Sequence, residues 1–168
     1  MKKKITAILI VMFLLISFLL LSGCWKSSED YADERAEQII TAINNNDRAT
    51  IKSAFSLWAI ENTESKRGQT IDEQIDALVG YFDGNKITHW VRNTVGGSAG
   101  PGISANFISS RHTITTAQRE YWFNFNECTR HDLEPERIGL TALLVREADT
   151  PISEPPFGPI PGIFIQIY

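Results

Sequence analysis

Apolar residues recur at helical spacing in the first half of this chain and alternate in the second, which predicts helices followed by strands. From Tyr31 to Asn45, Ala32, Ala36, Ile39, Ile40 and Ile43 share one helical face, with Ser27 and Ser28 placed to cap it. Asn44-Asn45-Asn46 frays that helix, and Asp47 caps a second one running from Arg48 to about Glu61. Its inner stripe is Ile51, Ala54, Phe55 and Trp58. Glu64 to Gln69 reads as a charged loop. Thr70 and Glu73 then stand at capping-box spacing, and Ile71, Ile75, Leu78, Val79 and Phe82 form the apolar face of a third helix. Asp83-Gly84-Asn85 stops it, because glycine tolerates the left-handed conformation of a helix end.

From Lys86 the pattern becomes that of strands. Ile87, His89, Val91 and Val95 fall on one face and Thr88, Trp90 and Arg92 on the other. Gly96 to Gly102 predicts a loop, and Ile103 to Thr116 one or two strands. Arg119 to Thr129 alternates most clearly. Tyr121, Phe123 and Phe125 take one side, and Trp122, Asn124, Asn126 and Cys128 the other. His131 to Glu136 turns the chain into a strand from Ile138 to Arg146. Pro151 to Gly162 is proline-rich and expected to cross the surface extended, before a short edge strand from Ile163 to Tyr168.

This order predicts a single α+β domain, residues 30–168, with three N-terminal helices packed on a curved antiparallel sheet of four to six strands. The arrangement resembles the cone-shaped fold of the nuclear transport factor 2-like (cystatin-like) superfamily. The chain also resembles a family of bacterial lipoprotein domains of unknown function. That likeness rests on Ala42-Ile43 with Asp47, Ala54-Phe55-Ser56, Ile71-Asp72-Glu73-Gln74-Ile75 and Phe82-Asp83-Gly84. It continues through Gly96-Gly97-Ser98, Tyr121-Trp122-Phe123, Ile138-Gly139-Leu140 and Pro161-Gly162-Ile163-Phe164-Ile165. These are packing and turn residues, so the resemblance implies a fold and a location and transfers no catalytic residue.

The N-terminus is patterned differently. Lys2, Lys3 and Lys4 precede an uncharged apolar run from Ile5 to Leu21, the layout of a secretory signal peptide. Leu21-Ser22-Gly23-Cys24 resembles the lipobox of bacterial lipoproteins. The resemblance implies removal of residues 1–23, a diacylglyceryl thioether on Cys24, and a lipidated tether over residues 24–29. The protein is then expected on the extracytoplasmic side of the cell membrane, held by that lipid. Two acyl chains suffice where one gives only marginal attachment.

Charge narrows the partners. The chain carries a formal net charge of −4, and three of its basic residues fall in the leader, so the remainder is more acidic still. An acidic domain is a poor ligand for nucleic acid or an anionic surface. With Cys24 consumed by lipid, Cys128 has no partner for a disulfide and is expected to be a small buried side chain.

Candidate chemistry is sparse. Gly96-Gly97-Ser98-Ala99-Gly100 fits the nucleophile-elbow spacing, but Pro101-Gly102 opposes the helix that must follow. His89, His112 and His131 lack metal-ligand spacing, and Asp132, Glu134 and Glu136 read as a solvated acidic turn. No cofactor is implied. His89 sits by parity on an apolar strand face, as a core histidine or as a polar group at the mouth of a cavity between helices and sheet. Arg119 and Tyr121 share the face of Phe123 and Phe125. Trp90 and Trp122 are expected on the outer face, where they would want a partner or a covering segment. The expectation is a non-catalytic domain binding a small ligand or envelope protein, with His89, Arg119 and Tyr121 as ligand-binding candidates. An enzyme with a pocket built around the same three residues is the alternative.

Overall fold

The computed structural model describes residues 26–98, 104–148 and 162–166. The expected leader, Cys24 and Trp25 of the expected tether, residues 99–103, residues 149–161 with most of the Pro-rich segment, and residues 167–168 lie outside the described residues. Among the described residues four helices come first: α1 Ser28–Asn44, α2 Arg48–Ala54, α3 Leu57–Arg67 and α4 Ile71–Phe82. Five strands follow: β1 Ile87–Ser98, β2 Ala105–Thr116, β3 Glu120–His131, β4 Gly139–Glu147 and β5 Gly162–Gln166. They form one sheet in the order β1-β2-β3-β4-β5, antiparallel except for the parallel β4–β5 pair. The α+β class expected from the sequence is present, with one helix more than the three anticipated.

Helix boundaries follow cap chemistry. Ser27 and Asp30 make a reciprocal capping box, starting α1 three residues earlier than expected. Asp47 caps α2, and Thr70 with Glu73 boxes α4. Ser56 caps α3, its Oγ accepting from the Ala59 N–H at 3.1 Å. The expected second helix is therefore two helices, broken at Phe55-Ser56. There Phe55 is extended and bridges to Leu140, and the Ser56 N–H donates to the Leu140 carbonyl at 2.9 Å. The break depends on Gly139, which has φ +122°. A Cβ there would lie 2.9 Å from the Ser56 nitrogen and 3.1 Å from the Ala54 carbonyl oxygen. The second half, α3, continues through the expected charged loop to Gly68, whose φ of +71° ends it.

Between helices and sheet lies an apolar core of Ile39, Ile51, Ile75, Leu78, Phe82, Phe123, Leu143 and Val145, among others. Asn44 clamps α1 to the sheet: its amide donates to the Ile87 carbonyl and accepts from the Ile87 N–H, both at 2.9 Å. Gln74 of α4 accepts from the Ile163 N–H at 2.7 Å and holds β5.

Strand parity is correct in β3, where Tyr121, Phe123 and Phe125 all face the core. In β1 the expected faces are reversed. A bulge between Ile87 and His89 shifts the alternation, and a second lies between Arg92 and Thr94. Ile87 is buried as expected, but His89 is exposed and Val91 is 50% exposed. Trp90 instead packs against the core, and its indole N–H donates to Glu37 of α1 at 3.0 Å. Arg92 reaches Glu29 and Asp33, also on α1. Of the two tryptophans expected outside, only Trp122 is. Cys128 is fully buried, as expected, and burial pushes its thiol up from the ordinary range.

Candidate functional site

Where α4 ends, the β2–β3 turn and the end of β4 converge on a cleft of about 440 Å³. Tyr81 and Asp83 to Asn85 form one wall; Gln118, Arg119, Tyr121 and Glu147 form the other. Each arrives for a local reason. Tyr81 lies in the last turn of α4, beside Phe82, which is in the core. The turn before β3 is held by Thr116, whose N–H and Oγ1 both donate to the Arg119 carbonyl at 3.1 and 3.0 Å. Cross-strand pairing sets Tyr121 opposite Glu147.

The polar groups form a connected set. The Tyr81 hydroxyl has two acceptors in reach, the Tyr121 hydroxyl oxygen at 3.2 Å and Glu147 Oε1 at 3.3 Å. Arg119 donates to the same carboxylate oxygen. Burial pushes the Tyr81 phenol well above its usual range, with the Tyr121 hydroxyl next in importance, then Glu147. Tyr81 is thus a neutral donor at physiological pH. The hydrogen bond from Arg119 to Glu147 raises the guanidinium further, so Arg119 stays charged. The aromatic floor is rigid: Tyr81 and Phe82 both meet Tyr121 edge-to-face, with centroids 5.7 and 5.1 Å apart.

Two of the three residues expected from sequence, Arg119 and Tyr121, therefore meet at one cleft. His89 does not line it, because the β1 bulge turns that side chain to the solvent face. Sequence parity had put Arg119 and Tyr121 on one face but missed Glu147, one residue beyond the expected end of β4. Tyr81 was missed because α4 presents it beside, rather than on, its apolar stripe. An aromatic next to the core residue Phe82 at a helix end was the available signal.

Other candidates resolve into structure. Gly96 to Ser98 belong to β1 and pair with Ser109, Ile108 and Phe107, while residues 99–103, where the helix of a serine elbow would begin, lie outside the described residues. Asp132 pairs with Arg130, and Glu134 with Arg137 and His131. No group of three or more His, Cys, Asp or Glu poised to hold a metal occurs among the described residues. None of the described helices is long and apolar enough to cross a membrane.

A family model described as a domain of unknown function, DUF5104, matches residues 38–152. The chain belongs to this family. The matched DUF5104 region contains every residue lining the cleft, while the first part of α1 and all of β5 lie outside it. No curated protein matches the chain.

Proposed function

We propose that this DUF5104 protein is a lipid-anchored, non-catalytic binding domain on the extracytoplasmic side of the cell membrane. Its cleft would take a small hydroxyl-rich molecule. The observation that carries the binding reading is the linked set Tyr81, Tyr121, Glu147 and Arg119 on the cleft wall. Hydroxyls and amides there both donate and accept, and Arg119 offsets the charge of Glu147. The basic-then-apolar leader and Leu21-Ser22-Gly23-Cys24 support the anchor. Helices followed by a twisted sheet, with a cleft between them, support kinship with the nuclear transport factor 2-like cone.

Glu147 is already engaged by Arg119, and His89 stands elsewhere; both disfavour the enzyme alternative. Glucose and N-acetylglucosamine are suitable probes. Amide NMR should show saturable shifts confined to residues 81–85, 118–121 and 147, and these should vanish in Glu147→Gln. Scattered or absent shifts with both sugars would rule the cleft out as the site. The anchor is tested separately by Cys24→Ser, which should release the protein from washed membranes and block processing of the precursor.

A further inference from the structure

Within this acidic chain, Arg35, Arg48, Arg92, Arg119, Arg130 and Arg137 each reach a carboxylate. Two arginines on the outer sheet face do not. Arg146 of β4 is only 5% exposed, yet it makes no hydrogen bond or ion pair among the described residues, and its Nε is buried without a partner. It lies over the ring of its cross-strand neighbour Trp122, with the guanidinium carbon 4.1 Å from the ring centroid. Arg111 of β2 approaches the same ring to 5.1 Å. Its Nε donates to Asn124 Oδ1 at 2.8 Å, which fixes the side chain and leaves the terminal amino groups uncommitted.

Burying a guanidinium without a carboxylate is unfavourable, and a second one nearby adds repulsion. Both effects are present: burial first, then the charge of Arg111, lower the pKa of Arg146. Stacking on Trp122 offsets part of this but satisfies none of the N–H donors. Thr113, cross-strand from Trp122, and Asn124, cross-strand from Arg111, are neutral neighbours. An oxyanion supplies both missing elements, negative charge and planar acceptors matched to the guanidinium fork.

We infer that Arg111, Trp122 and Arg146 form a binding site for an oxyanion, a carboxylate or phosphate group, on the sheet face opposite the helices. This site is independent of the cleft, and its test in nanodiscs rests on the proposed anchor. Inorganic phosphate is the probe, titrated into the full chain in nanodiscs at ionic strength held constant with chloride. The side-chain N–H signals of Arg146 and Trp122 should shift saturably. Arg146→Met and Arg111→Met, which keep an apolar stem against the ring, should each weaken binding roughly tenfold or more. Arg111 is only partly buried, so its variant carries the test if Arg146→Met does not fold.

Absence of saturable shifts in the wild type, or unchanged affinity in Arg111→Met, overturns the site. Two sources of the anion are distinguished by lipid composition. If a lipid headgroup is the natural occupant, phosphate affinity falls in phosphatidylglycerol nanodiscs relative to phosphatidylcholine ones. If a free anion is, the affinity is the same in both.

Discussion

Acidification should destabilise this protein in part through one residue, His112. Its side chain is 0% exposed, and neither ring nitrogen has a hydrogen-bond partner. Asp33 Oδ1 of α1 stands 3.8 Å from Nε2, beyond hydrogen-bond length, and the rings of Trp90 and Phe125 pack at centroid distances of 5.4 Å. Burial lowers the imidazole from 6.5 to about 4; Asp33 opposes that shift and Arg92 adds to it. Between those values the unfolded chain binds a proton that the folded one refuses. The stability that neutral His112 contributes is therefore complete above about pH 6.5 and is lost as pH falls toward 4. The gap corresponds to roughly 3 kcal/mol at pH 4, or a fall in melting temperature of roughly 6–12 °C. Carboxylates also titrate in this window, so the assay is a difference: urea unfolding of wild type and His112→Leu from pH 7 to pH 4. Leucine removes two unsatisfied nitrogens at similar volume and should change little at pH 7. At pH 4 the variant should have gained roughly 3 kcal/mol relative to wild type. Parallel pH curves for the two proteins would refute the argument.

Three further substitutions test the joints of the fold. Gly139→Ala should cost at least ~2 kcal/mol in urea unfolding, because its Cβ meets backbone at the α2–α3 break and its φ disfavours a side chain. Gln74→Ala should cost about 1–3 kcal/mol by leaving the Ile163 N–H unpaired, and should speed hydrogen exchange there more than at Phe123. Ser56→Ala removes the α3 cap and should cost about 1 kcal/mol by thermal melting.

What the sequence revealed, and what it hid, follows from the range of the forces involved. The faces of α1 and α4 and the aromatic side of β3 were legible because their period is local and uninterrupted. The caps at Asp47 and Thr70 were legible for the same reason. The break at Phe55-Ser56 was not, since its cause is Gly139, more than eighty positions away. His89 was placed on the wrong face because one bulge residue reverses the alternation from there to the second bulge after Arg92. Arg119 and Tyr121 could be brought together from parity alone, but Glu147 and Tyr81 join them only through tertiary packing. The arginine pair around Trp122 was invisible, because it needs the register of three strands.

The same two bulges in β1 bear on how copies of this protein share a surface. β1 is an end of the sheet, and the outward edge of such a strand carries backbone groups that another molecule's strand can zip onto. Interruptions at Ile87/His89 and Arg92/Thr94 leave no long uninterrupted run for such pairing. Where copies crowd together and collide constantly, that irregular border acts as a guard against runaway polymerisation.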